Sequence, residues 1–246
     1  MKDLRLKISI IVPAFNEEKL LGASLAAMKE AAAELTRRGW DFELVVCDNN
    51  STDRTAEIAR VAGAKVVFEP FNQIARARNT GAAAAGGDWL IFVDADSHPS
   101  AELFSEVAEQ IVSGRYLAGG STVRMDAVNM AGKLLTLLWC WISRIGKLMA
   151  GSFIFVEAAA FRRIGGFSNE LFAAEEIDLS KRLKKLGRQT GRQVVILHRH
   201  PLQTSGRKLK LYSAGEILRC FARAVFNQRR LLTSREQAHL WYDGRR

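Results

Sequence analysis

Cysteine is scarce in this chain. Cys47, Cys140 and Cys220 are odd in number and far apart, which excludes a disulfide framework and the paired spacing of a zinc site. A reducing cytosol is the simplest compartment. Histidine is equally thin: His198 and His200 flank Arg199 without partner ligands at suggestive spacing. Long apolar runs are missing. The longest, Leu134 to Ile142, has nine residues and is closely followed by Arg144 and Lys147, too short to span a bilayer. The first residues lead into a strand by Ile8 with no apolar h-region or small-residue cleavage site, so no signal peptide is expected. The expected location is cytoplasmic, with association to the inner face of the membrane as a variant. No low-complexity linker or internal repeat interrupts the chain.

Acidic residues are also short in one region. The chain has 36 Lys or Arg against 26 Asp or Glu, a formal net charge of +10. From Arg188 onward thirteen Lys or Arg face three acids, so this tail carries the whole imbalance. Such a tail suits an anionic membrane surface or a phosphate-bearing substrate, or simply aids solubility. Nucleic acid is not an expected partner, because the basic residues are not interleaved with an aromatic stacking motif. Lys133, Arg144 and Lys147 flank a Leu/Trp-rich segment that has the makings of an interfacial helix. A buried core helix is the plainer assignment.

What the chain has is a β-α alternation. Ile8 to Val12, Phe42 to Asp48, Lys65 to Phe68 and Asp88 to Val93 read as strands; Leu20 to Leu35, the segment after Asp53, and Ile74 to Ala85 read as helices. Asn16 is placed to cap the first helix, and Ser51, Thr52 and Asp53 the second. Repeated β-α units argue for an α/β fold with a doubly wound, mostly parallel sheet. After Pro99 a helix over Ala101 to Val112 is expected, then strands at Tyr116 to Met125 and Phe153 to Val156. A helix ending at Gly187, a last strand at Val194 to Leu197 and a helical tail from Tyr212 complete the pattern.

The organising stretch is Trp89-Leu90-Ile91-Phe92-Val93-Asp94-Ala95-Asp96. Its apolar run reads as a central strand buried on both faces. It runs into two carboxylates that suit a hard divalent cation, Mg²⁺ or Mn²⁺, with positions left for phosphate oxygens. A lone Asp-x-Asp is more often a solvated turn. Here, however, Pro13 to Glu17, Asp48, and Asp94 with Asp96 all end strands at what should be one edge, where open α/β sheets bind ligands.

Five ordered motifs then become recognisable: Ile11 to Glu18, Val45 to Asp53, Ala77-Arg78-Asn79-Thr80-Gly81, Phe92 to Asp96, and Glu175 to Leu179. Over roughly residues 8 to 210 the chain resembles the family 2 glycosyltransferases with a GT-A fold. The resemblance implies one continuous GT-A domain with a nucleotide-sugar-binding half over 1–100 and an acceptor-binding half with its basic tail over 101–246. It implies a donor, UDP- or GDP-linked, held by Pro13, Ala14, Phe15, Glu17 and Asp48 around base and ribose, with Arg78 and Asn79 near the diphosphate. Asp96 is the expected metal ligand, and Asp94 contacts ribose or metal-bound water. The implied reaction inverts the anomeric centre with a carboxylate as general base. The family's Glu-Asp pair corresponds to Glu175-Glu176, so the base falls on Glu176, with Glu175 as the alternative.

The chain departs from the family in two places. Glu stands where the family has Asp, which moves the base by about a bond length. The Gln-x-x-Arg-Trp motif of processive members is absent. Thr204-Ser205-Gly206-Arg207-Lys208 takes its place, as in small members without transmembrane helices; Arg207 and Lys208 either close over the diphosphate or form an ordinary basic loop. Single-sugar transfer is therefore expected, to an acceptor that is either soluble or lipid-linked. Two other readings stand beside it, a nucleotidyltransferase and a non-catalytic sugar-nucleotide-binding protein. Against the first, no Gly-rich basic triphosphate loop follows the first strand.

Overall fold

A computed structural model describes residues 5–126 and 130–206. The elements are β1 (Lys7–Ala14), α1 (Leu21–Arg37), β2 (Asp41–Asp48), α2 (Thr55–Val61), β3 (Lys65–Phe68), α3 (Ile74–Ala84), β4 (Trp89–Val93) and β5 (Ser97–His98). They continue with α4 (Ala101–Ser113), β6 (Tyr116–Asp126), α5 (Met130–Gly146), β7 (Phe153–Glu157), α6 (Ala158–Arg163), α7 (Glu175–Thr190) and β8 (Gln193–Ser205).

All eight strands form one sheet in the order β3-β2-β1-β4-β7-β6-β8-β5. β1 runs parallel to β2 and β4, β2 to β3, and β6 to β8. The mostly parallel α/β expectation holds, with β7 and β5 as the reversed strands. Strand alternation explains why the central strands are apolar throughout. Ile8, Ile10, Val12, Trp89, Ile91 and Val93 share one core with α1 and α4, while Ile11, Leu90 and Phe92 face the other, with α6 and α7. Phe92 is fully buried, its ring 5.3 Å from Phe161 and 5.1 Å from Phe167. Burying such a side chain contributes roughly 1.5–3 kcal/mol. α3 seats closely against β1 because Gly81 has no side chain; a Cβ there would meet Ile11 Cγ2 at 2.5 Å.

The elements differ from expectation in several places. Asn16 does not cap a helix: it adopts a left-handed backbone (φ 51°), and α1 begins only at Leu21. The strand runs through Pro13 to Ala14 against β2, while its ladder with β4 stops at Ile11. The missing proline N–H therefore interrupts no pairing on that side. β8 extends past Leu197 to Ser205 because His198 to Pro201 form an irregularity opposite β6, a place where proline costs no ladder bond. α6 was not expected at all, being only six residues long. Gly119 and Gly120, by contrast, sit where glycine in a strand allows a ligand or another backbone to come close, and it is backbone and a ring that do: a Cβ on Gly119 would meet Phe155 Cζ at 2.4 Å and the Val195 carbonyl at 2.7 Å. Arg207 and the expected helix from Tyr212 lie outside the described residues.

Candidate active site

Because β1, β2 and β4 are parallel, their carboxyl ends share one edge, and the chain folds locally to build a ledge there. The Asn49 N–H donates to the Ala14 carbonyl at 2.8 Å, joining the ends of β1 and β2. Asp48, buried at the end of β2, accepts the Ser51 N–H at 3.0 Å. Asn16 and Glu17 in turn donate their N–H groups to Ser51 Oγ at 3.0 Å and Thr55 Oγ1 at 2.8 Å. The left-handed turn at Asn16 lets its Oδ1 accept the Thr52 N–H at 2.8 Å. Pro13, Ala14, Phe15, Glu17 and Asp48 thus lie together at the ends of β1 and β2. Glu17 is buried and Phe15 half-buried.

A second group gathers around Arg78. This guanidinium is only 2% exposed, and it donates through Nη1 to Glu175 Oε1 at 2.6 Å and through Nη2 to Asp94 Oδ1 at 3.0 Å. Nη2 also reaches the Gly151 carbonyl at 2.8 Å, and the guanidinium lies 5.2 Å from the centre of the Phe167 ring. A buried arginine is tolerated when its planar donors meet carboxylates and carbonyls in this way. Three distant segments, the end of β4, the start of α7 and the loop before β7, are drawn to one point.

Glu176 stands beside this group. A Cβ on Gly151 would lie 3.1 Å from Arg78 Nη2 and 3.7 Å from Glu176 Cδ, so the glycine leaves room between them. The turn into α7 is sharp, with Ala174 left-handed at φ 58°. Ser180 Oγ donates to the Glu176 carbonyl at 2.7 Å and accepts the Met149 N–H at 3.0 Å, tying α7 to the loop before β7. Burial, reinforced by the charge of Glu175 and opposed by Arg78, pushes the Glu176 carboxyl up to about 8. A carboxyl near that value is protonated in acid and becomes a base in mild alkali, the behaviour a proton acceptor needs near neutrality.

Asp94 and Asp96 are partly exposed just past the end of β4, and Asp94 shares Arg78 with Glu175, so carboxylates outnumber the arginine there. Among the described residues no three His, Cys, Asp or Glu are arranged to hold a metal alone. Two carboxylates with the remaining positions left to phosphate oxygens and water suit a hard cation, so Mg²⁺ or Mn²⁺ fits this set.

Asn79 turns away from Arg78 to the segment after α6. Its Nδ2 donates to the Phe167 carbonyl and to Asn169 Oδ1, each at 2.9 Å, and its Oδ1 accepts the Phe167 N–H at 2.9 Å. Gln73 Nε2 holds the adjoining stretch through the carbonyls of Asn169 and Leu171, at 3.0 and 2.8 Å. Sequence reasoning did not single out Gln73, Phe167 or Ser180. Only the helical phase linking Ser180 to Glu176 could have signalled the last of these.

The model of the glycosyl transferase family 2 matches residues 9–156, which include the strand ends and Arg78. The chain belongs to glycosyltransferase family 2. As a member it is 28% identical over 142 residues to an uncharacterised glycosyltransferase of Mycobacterium tuberculosis, covering 58% of this chain and 56% of that one. It therefore spans little more than half the length of that relative. The fold of this family member matches the mannosyltransferase PcManGT of Pyrobaculum calidifontis, solved with GDP-Man and Mn²⁺. The TM-score is 0.67 at 18% identity, over 96% of this chain and 70% of that one. Residues 1–349 of Staphylococcus aureus TarS, in complex with UDP-GlcNAc, match with a TM-score of 0.62 at 22% identity, over 95% and 69%. Both likenesses establish the GT-A fold. Among the described residues no helix is long and apolar enough to cross a membrane.

Proposed function

We propose that this glycosyltransferase moves a single sugar from a UDP- or GDP-linked donor to an acceptor hydroxyl, with inversion and with Glu176 as general base. The observation that carries the proposal is the Arg78 junction, where Asp94 from the donor-side strand and Glu175 from α7 grip one buried guanidinium with Glu176 alongside. That junction couples residues 1–100, read as the donor half, to residues 101–246, read as the acceptor half.

Pro13, Ala14, Phe15, Glu17 and Asp48 hold the base and ribose on the ledge between β1 and β2. Arg78 draws Asp94 and Glu175 together, and Asn79 keeps the Phe167 segment in place. A Mg²⁺ or Mn²⁺ held by Asp96 with Asp94 supplies charge neutralisation at the diphosphate when bound. The ionised Glu176 accepts the proton of the acceptor hydroxyl as its oxygen bonds to the anomeric carbon. The bond from that carbon to the diphosphate oxygen breaks on the opposite side, and its electron pair leaves with the nucleoside diphosphate. Glu175, bonded to Arg78, adds to the burial that raises the Glu176 carboxyl.

A thermal-shift panel of UDP-, GDP-, dTDP- and CDP-sugars with and without Mn²⁺, on this chain and on Asp96→Asn, tests the donor side. A ligand that binds only the folded chain raises its Tm as its concentration exceeds Kd. One nucleotide should stabilise the chain only with Mn²⁺ and lose that effect in Asp96→Asn. Donor binding without turnover on any acceptor, combined with indifference to Glu176→Gln, would favour a non-catalytic binder.

A further inference from the structure

α5 is apolar on two faces. One face carries Trp139 and Cys140 against the core beneath β6, with the Cys140 thiol on the Val123 carbonyl. The other carries Met130, Leu134, Leu137, Leu138, Trp141 and Ile145, which are 47–70% exposed. These positions recur at helical spacing and make one continuous stripe. Scattered exposed apolar residues are ordinary, but an aligned stripe of this kind marks an interaction surface.

The charges around the stripe select its partner. α5 contains no acidic residue, and Lys133, Arg144 and Lys147 at its edges are exposed. Beyond its C-terminal end lies a further group of cations on α7. Lys184 donates to the Gly146 carbonyl at 2.7 Å, with Lys181 and Arg188 near enough, together with Lys147, to repel its charge. The chain's own basic segment 207–246 has ten Lys or Arg against three acids, and a second copy would carry the same net +10. Both would meet like charge at this face. A stripe of Leu, Ile and Trp edged by cations is complementary to a surface that is apolar below and anionic above.

We propose that this face of α5 docks on an anionic phospholipid bilayer. The helix lies in the headgroup plane, with its stripe in the acyl boundary and its cations against the lipid phosphates. The consequence for the reaction rests on the proposed glycosyltransferase activity. From Ile145 on the stripe to Gly151 beside Arg78 and Glu176 is six residues, a reach of at most about 20 Å of chain. An acceptor hydroxyl carried on a lipid is thereby offered to Glu176 at the membrane surface.

Co-flotation of the full chain with phosphatidylcholine vesicles, with and without about one-third phosphatidylglycerol, tests the docking. The chain should float with the anionic vesicles, less so as salt is raised. Leu137→Asp with Trp141→Asp should cut binding by about tenfold or more, and Lys133→Gln with Arg144→Gln should weaken it and flatten its salt dependence. All four positions are exposed, so the Tm and its nucleotide-induced shift should stay unchanged. Failure to float overturns the proposal. So does undiminished flotation of the Asp variant, which would assign binding to the basic segment. A lowered Tm or altered mass in that variant also overturns it, since the stripe would then be covered by protein. Nucleotide binding is read without lipid: a chain that floats but binds no nucleotide keeps the surface and refutes the donor reading, and the reverse outcome does the opposite.

Discussion

Arg78→Met separates a guanidinium that holds the fold together from one kept for the diphosphate. The substitution removes a charge 2% exposed, bonded to Glu175 at 2.6 Å and to Asp94 at 3.0 Å, and leaves the Gly151 carbonyl without that donor. Breaking a buried ion pair by deleting one member costs about 3–5 kcal/mol, because the abandoned charge stays buried. The cost must depend on pH. Glu176 already titrates near 8 and Arg78 is the charge that lowers it, so the variant's Glu176 titrates higher still. A carboxyl whose folded pKa lies above its unfolded value binds more protons when folded, so its contribution to stability falls as pH rises between the two values. The penalty of Arg78→Met is therefore level from mild acid through neutrality and grows above about pH 8, where the parent's Glu176 has ionised and the variant's has not. Urea unfolding of both proteins at about pH 5.5 and about pH 9 measures it. The expectation is about 3–5 kcal/mol at the lower pH, from the abandoned carboxylates and carbonyl, and about 1 kcal/mol more at the higher, since one group contributes at most about 1.4 kcal/mol per pH unit. Adding Glu175→Gln should recover part of that loss, a coupling a double-mutant cycle reads directly. A penalty below about 1 kcal/mol, or one equal at both pH values, refutes the reasoning. So would a variant of unchanged stability that had lost nucleotide binding, since Arg78 would then serve the ligand and not the junction.

Glu176→Gln should lower kcat by about 10²–10⁴ while leaving the nucleotide-dependent Tm shift intact, as expected of a lost general base. In the parent chain kcat/KM should rise with pH and level off above about 8, since only the ionised carboxylate accepts the proton. A profile already flat at pH 6 would remove Glu176 from that role. Gly119→Ala puts a methyl 2.4 Å from Phe155 Cζ and 2.7 Å from the Val195 carbonyl. It should destabilise by about 1–3 kcal/mol in urea unfolding, whereas a neutral outcome would mean the strands there can part freely. Asn79→Ala deletes three hydrogen bonds to residues 167–169 and should cost about 1–3 kcal/mol. Faster proteolysis should fall in that segment; cleavage elsewhere would contradict the assignment.

Much of the fold and of the strand-end site was legible because its signals are local. A buried strand needs an uninterrupted apolar run, and Trp89 to Val93 supplies one; a carboxylate directly after it must lie at the sheet's edge, as Asp94 and Asp96 do. The reversal of β7 was not legible, since an apolar run such as Phe153 to Val156 is equally at home in either direction. Nor was the end of β8, where the polar residues His198 to Pro201 look like a stop and are an irregularity in a longer strand.

Arg78 is the instructive case, because helical phase carries a signal for its burial that its charge opposes. Ala75, Arg78 and Gly81 recur at threefold spacing on α3, and all three are buried. Gly81 seats against Ile11 and Ala75 joins the same core, so this stripe faces the sheet. Arg76, two residues earlier and off the stripe, is half-buried and stacks over the exposed Phe71 ring at 4.9 Å. Helical phase therefore assigns Arg78 to the interior and Arg76 to the rim. A reading by hydrophobicity sees two equivalent cations and sends both to solvent or ligand. Burial of an arginine also requires acids to meet it, and those come from Asp94 and Glu175, sixteen and ninety-seven residues away. Phase could point Arg78 inward; only the folded sheet, by bringing the end of β4 to the start of α7, makes that direction affordable.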